Sequence, residues 1–234
     1  MIHNSANFQS RKNEGNIAKN QFEKAAWQVQ KVVCGIDEVG RGCLAGPLVT
    51  AAVILPAGKT SRFLRDSKLM TETERLKAYS WIKKYCFYGI GMASNRLIDQ
   101  HNIWQATLIA MRRAVINLLA ICPEQPAALL VDAMPLTMAD SVYQTIPVYH
   151  FPKGEQKSSS IAAASILAKV WRDELIKRMD NSFPGYALAE HKGYATQKHR
   201  MSLRAQNVSL IHRISFLRTE AEKKDTNAAQ QSLC

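Results

Sequence analysis

Acid is what this chain is short of. Its 234 residues carry 19 Asp plus Glu against 31 Lys plus Arg, a formal net charge of +12. So basic a balance points to an anionic partner, nucleic acid foremost, and says nothing about sequence preference. The five cysteines (Cys34, Cys43, Cys86, Cys122 and Cys234) are an odd number, and none stands in a C-x-x-C spacing. That argues against zinc and disulfide frameworks and reads as reduced thiols in a cytoplasmic protein. The opening stretch MIHNSANFQSRKNEGN has no apolar core of the signal-peptide kind. The longest nearly apolar run, Leu44 to Leu55, contains Gly46 and Pro47 and is too short to span a bilayer. A phosphate-cradling loop of the form G-x-x-x-x-G-K-S/T is missing too, which leaves a nucleoside-triphosphatase without support.

What is present is globular: 47% hydrophobic and 21% charged residues exclude wholesale disorder. No repeat or Gly/Ser hinge interrupts the chain, so one compact domain over residues 31–218 is expected. Residues 1–30 read as a polar, frayed extension in which Phe22, Ala26 and Val29 share a short helical face. Residues 219–234 read as a flexible tail of net charge −1.

Lys31 to Val39 and Leu48 to Leu55 are β-branched and short, and read as strands joined by the glycine-rich stretch Gly40 to Pro47. Thr71-Glu72-Thr73-Glu74 matches a capping box and predicts a helix to about Lys84. Cys86 to Ala93 is strand-like. Trp104, Leu108, Met111, Val115 and Leu118 step by four and three, the spacing of one buried helical face. Ala127 to Val131 is too short for a helix, and Ile146 to Tyr149 reads as a further strand. Ala-rich Ser158 to Met179 predicts a long helix and Thr196 to Gln206 a last one. Strands and helices alternate after an opening hairpin. The class is therefore α/β, a mixed central sheet flanked by helices with a C-terminal helical segment.

The scarce acids fall in odd places. Asp37 and Glu38 lie inside an apolar strand, Asp132 ends the run Ala127 to Val131, and Asp173 sits in the Ala-rich helix. Each has an ordinary alternative: Asp173 pairing with Lys169 or Lys177, Asp132 capping a turn, and Asp37 or Glu38 pairing with Arg41. Together they suggest a carboxylate cluster, which would repel itself unless a cation neutralised it. Oxygen ligands select Mg²⁺ or Mn²⁺, and two such ions form the usual clamp for phosphoryl chemistry. One difficulty stands: adjacent strand residues face opposite ways, so Glu38 cannot simply lie beside Asp37. Gly40-Arg41-Gly42 would let a backbone approach phosphates closely, though alone it is usually a turn. From His191 to Arg218 there are six Lys or Arg, three His and no acid. With Tyr194, that segment reads either as a nucleic-acid face or as a solvated basic helix.

The motif G-I-D-E-V-G-R-G-C-L-A-G-P (Gly35 to Pro47) resembles the opening signature of ribonuclease HII, the type 2 ribonucleases H. The likeness runs on through Asp66-Ser67-Lys68, Leu130-Val131-Asp132, Lys153-Gly154, Ser160 to Lys169 and Arg172-Asp173. It ends with His191 to Thr196 and Ile211-His212-Arg213. The resemblance implies a ribonuclease H-like fold and an endonuclease with two Mg²⁺ or Mn²⁺ ions. It would cut the RNA strand of RNA–DNA hybrids and incise 5′ of ribonucleotides embedded in duplex DNA, leaving 3′-OH and 5′-phosphate ends. Asp37, Glu38, Asp132 and Asp173 would be both catalytic and metal-binding. Gly40, Arg41, Gly42 and Tyr194 would read the ribonucleotide junction, and Lys68 and Lys153 would touch phosphates. Three positions depart from the family pattern: Val39 for Ala, Ala133 where Gly is common, and Glu155 where Asp usually follows Lys-Gly. Ala133 is expected to stiffen the loop beside the metal.

A monomer suffices, no membrane segment is expected, and a replication clamp is a partner for which the residues carry no readable motif. Two rivals remain at this point: a binder of the same fold without catalysis, and a related two-metal DNA nuclease. Retention of the acids disfavours the first, and the Gly40–Gly42 and Tyr194 pairing disfavours the second.

Overall fold

The computed structural model describes residues 17–139 and 141–217; the tail expected over 219–234 lies outside them. In chain order the elements are α1 (Gln21–Gln28), β1 (Val33–Val39), β2 (Leu48–Ile54), α2 (Glu72–Tyr85), β3 (Phe87–Ala93) and α3 (Asn95–Leu119). There follow β4 (Ala128–Asp132), β5 (Val148–Phe151), α4 (Gly154–Lys157), α5 (Ser159–Asp180), α6 (Leu188–His191) and α7 (Gln197–Gln206). The five strands form one mixed sheet in the order β3-β2-β1-β4-β5. β1 to β3 are antiparallel neighbours, whereas β4 runs parallel to both β1 and β5.

Strand periodicity sorts the core into two layers. Cys34, Ile36, Ala52 and Ile54 pack with Met111, Val115 and Leu118 of α3 on one face. Val49, Ala51 and Val53 pack on the other against Ala162 to Ala168 of α5 and Ala78 and Ile82 of α2. α2 starts with the expected reciprocal capping box between Thr71 and Glu74. The run of small residues at the start of α5 brings its backbone onto β1, where a Cβ on Gly35 would fall on the backbone of Ser160 and Ile161. That close approach sets the depth at which α5 lies beneath the strand end carrying Asp37.

Three expectations change. The short helix expected around Phe22 and Ala26 forms as α1, but it is docked on the sheet and not frayed. Ala26 is buried, and the buried carboxylate of Glu23 accepts hydrogen bonds from the Ser158 hydroxyl (2.6 Å) and the Ser160 amide (3.0 Å). Val29, placed on that helix's inner face, is exposed. α3 begins nine residues before Trp104 and is broken at Asn102, whose φ of 64° interrupts the helical path. Trp104, expected on the buried face, lies 44% exposed just after this break.

Gly35→Ala is expected to destabilise the fold by about 3 kcal/mol or more, because neither backbone can retreat. Urea unfolding of the variant checks this, and a loss under about 1 kcal/mol would show that the helix–strand contact yields.

Candidate active site

β1 and β4 run parallel in the middle of the sheet, so Asp37 near the end of one and Asp132 at the end of the other come together. The chain leaving β5 supplies a third acid. Oxygens of Asp37, Asp132 and Glu155 all lie within 4.8 Å of one another, the one such group of potential metal ligands among the described residues. Backbone geometry holds them: the Gly154 amide donates to Asp132 Oδ1 at 2.8 Å and the Glu38 amide donates to Asp37 Oδ1 at 2.7 Å. Glu38 is not part of that group, although it lies close enough for its charge to act on Asp37. Its carboxylate lies 3.6 Å from the Arg41 guanidinium, and its Oε2 is buried without a hydrogen-bond partner.

Like charges in a buried place bind protons. Burial, then the neighbouring Glu38 and Asp132 charges, push Asp37 well above the usual carboxylate range. Burial lifts Glu38 to about 7 against the pull of Arg41. Burial also raises Glu155, opposed by the Lys68 ammonium 3.7 Å away. Converging carboxylates, an orphaned buried oxygen and an all-oxygen donor set fit a hard divalent cation.

The acid expected from α5 is not in this group. Asp173 pairs with Lys169 at 2.9 Å, the ordinary ion pair that its i−4 neighbour offers. Its place is taken by Glu155, which had counted only as a departure from the family pattern. The signal was available: an acid is still an acid after Lys153-Gly154. Lys153 is exposed, with its backbone in the left-handed region at φ 57°. Lys68 is exposed beside Glu155.

Gly40-Arg41-Gly42 leads straight from β1 into a turn alongside the cluster. Gly40 has φ 89°, and a Cβ there would meet the Arg172 guanidinium, so glycine is required twice over. Gly42 has open space where a Cβ would sit. Next to it, Cys43 forms an isolated antiparallel bridge to Tyr194, and the Leu44 amide donates to Gly193 O at 2.8 Å. The Tyr194 ring is 37% exposed, with Lys169 Nζ 5.6 Å and Arg172 Cζ 5.8 Å from its centroid. Burial pushes its hydroxyl up to about 12, so it stays a phenol.

A mixed sheet with carboxylates gathered at its central strand ends, beside a basic glycine turn, defines a metal-dependent nuclease of the ribonuclease H type. A family model described as Ribonuclease HII matches residues 34–219. The chain is 44% identical over 200 residues to a ribonuclease HII of Levilactobacillus brevis, covering 85% of this chain and 74% of that one. Among solved structures it is similar to the PCNA:RNase HII complex from Archaeoglobus fulgidus, 25% identical with a TM-score of 0.64 over 78% of this chain and 94% of that one. The fold is shared with Bst-RNase HIII in complex with Mn²⁺, 21% identical, TM-score 0.61, covering 84% and 71%. The chain belongs to the ribonuclease HII family and is a ribonuclease H endonuclease. Among the described residues no helix is long and apolar enough to cross a membrane.

Two predictions follow from this geometry. Glu38 is raised, so its protonated form supports the metal-free fold below pH 4.5 and that support fades as pH climbs through about 7. Mg²⁺ should therefore raise Tm more at pH 8 than at pH 5.5, as metal takes over the neutralising role. Glu155→Gln should shrink that rise and cut kcat/KM by about 100-fold or more. Asp173→Asn should keep the rise; losing it would return Asp173 to the metal site. Separately, Ala133 sits at φ 56° directly after Asp132, a conformation that costs a non-glycine residue about 1 kcal/mol. Ala133→Gly should stabilise the fold by about that amount in urea, and a lower midpoint would mean the strain is absent.

Proposed function

We propose that the chain hydrolyses the RNA strand of RNA–DNA hybrids and incises 5′ of single ribonucleotides in duplex DNA, leaving 3′-OH and 5′-phosphate ends. One observation carries this reading: the 3.6 Å contact of Arg41 with Glu38 ties the glycine turn to the acid next to Asp37 of the carboxylate group. The same turn reaches Tyr194 through the Cys43 bridge. Chemistry and recognition are thus one side chain apart.

Asp37, Asp132 and Glu155, with Glu38 beside them, would hold the Mg²⁺ or Mn²⁺, two ions in the active complex. Bound there, the metal supplies Lewis-acid polarisation of water and phosphate and balances the site's negative charge. The chain's own groups do the rest. Main-chain N–H groups from Gly40 to Gly42 approach the ribose, where a contact to its 2′-OH tells RNA from DNA. The Tyr194 ring packs on the following deoxyribose, steadied by Lys169 and Arg172. Asp173 serves this reader by holding Lys169. Arg41, Lys68 and Lys153 meet phosphates.

The working unit is taken as a monomer whose catalytic domain runs over residues 31–218, with α6 and α7 part of the substrate face. The free thiols of Cys34, Cys43, Cys86 and Cys122 support a reducing, cytoplasmic setting. A sliding clamp enters as protein partner on the strength of the PCNA-bound neighbour.

The test is a DNA duplex carrying one ribonucleotide, incubated with Mg²⁺ or Mn²⁺. A single nick on the 5′ side of the ribonucleotide is expected, and no nick with either metal would overturn the proposal. Tyr194→Ala should impair this substrate more than a long hybrid, whereas equal losses would remove its junction role.

A further inference from the structure

Trp104 has no part in the site as described, yet it stands next to it. Of the four tryptophans it alone is exposed; Trp27, Trp81 and Trp171 are half-buried against the α2–α5 core. A ring of this size left in water forgoes a large burial energy. Its neighbour is informative. The Arg41 guanidinium lies 5.9 Å from the ring centroid, and the same group is 3.6 Å from Glu38 and donates to Met134 Sδ at 3.5 Å. Arg41 therefore touches the ring, the acid and the chain that leaves Asp132.

The backbone that carries the ring is anchored. Asn102 breaks α3, and its Oδ1 accepts from the Trp104 amide at 2.9 Å and the Gln105 amide at 3.1 Å. The second half of α3 thus starts with a side-chain cap one turn before buried Ala106 and Thr107. Trp104 projects from this anchored start.

We propose that Trp104 is a substrate-contact residue, packing its ring against a sugar of the bound nucleic-acid duplex beside the Arg41 phosphate contact. Bases of a duplex stay stacked on one another, so the sugar edge is the apolar surface such a ring can meet. The occupant is the substrate because the ring is continuous, through Arg41 and Glu38, with the strand end that carries Asp37 of the carboxylate group. The proposal rests on the hybrid-cutting reading given above.

Tryptophan emission supplies a test independent of turnover. The full chain is titrated in EDTA with an unlabelled RNA–DNA hybrid, and Kd is measured in parallel by anisotropy of a labelled one. Saturation should quench wild-type emission, and Trp104→Phe should lose that quench while keeping Kd within about twofold of wild type. Trp104→Ala should weaken binding about 5- to 10-fold, appearing in KM with kcat nearly unchanged in the metal-loaded assay. Thermal melts of both variants confirm that the fold is kept. An unchanged Kd for Trp104→Ala, or a quench that persists in Trp104→Phe, overturns the proposal. A wild-type protein that binds no hybrid overturns the functional reading together with it, an outcome recognisable before any variant is compared.

Discussion

Two buried guanidiniums hold the glycine turn in shape. Arg172 donates to the carbonyls of Pro47 (2.9 Å), Lys192 (2.8 Å) and Ala45 (3.1 Å). Arg213 donates to Arg41 O (2.8 Å) and twice to Gly46 O (3.2 and 3.0 Å). Both side chains are fully buried. Removing such charges from water costs several kcal/mol each, roughly, and only well-directed hydrogen bonds offset it. Burial lowers Arg213 to about 10, with Arg172 nearby adding to the effect, yet at that value it remains a cation at neutral pH. Carbonyls of the turn are thereby drawn inward. The Leu44, Ala45 and Gly46 amides are occupied too, by the Gly193 and Ile211 carbonyls, so this part of the turn is held through both its oxygens and its N–H groups.

The second segment of this surface is held by histidines. His212 Nδ1 faces the Ser209 amide at 3.0 Å and so accepts, which puts its proton on Nε2. That proton points to His199 Nε2 at 3.1 Å, leaving His199 Nδ1–H to donate to Tyr194 O at 2.9 Å. His191 stacks on His199 and accepts from the Gly193 amide. Burial pushes His212 down to about 4, so that ring is uncharged at neutral pH. The histidines that made residues 191–218 look like a basic face act instead as its hidden scaffold.

Much of this was legible beforehand because the signals were local. The capping box at Thr71, the alternation in β1 and β2, and the Gly35 to Pro47 motif each act within a dozen residues. The opposite facing of Asp37 and Glu38 likewise follows from strand geometry, and the structure keeps only Asp37 in the carboxylate group. What failed to show was set by distance in sequence. Asp173 and Glu155 are both acids near the Ala-rich helix, and only the path of the chain out of β5 decides which one meets Asp132. Trp104 fits the period of Leu108, Met111, Val115 and Leu118, yet it stands in the first turn after Asn102, where Arg41 rather than the core lies beside its ring.

The same logic explains how a basic protein keeps an acidic centre. Asp37, Asp132 and Glu155 are gathered where the sheet's parallel strands end, and burial raises Asp37 and Glu155 above the usual carboxylate range. Lys68 and Arg41 pair with Glu155 and Glu38, and among the described residues no Lys or Arg forms an ion pair with Asp37 or Asp132. Were a lysine to pair with them, the fold would gain stability and lose the donor set for a metal. The unpaired charge is therefore a feature of the site's chemistry. The surrounding basic residues make it tolerable, since the same positive field that draws in nucleic acid also offsets the central acids at longer range.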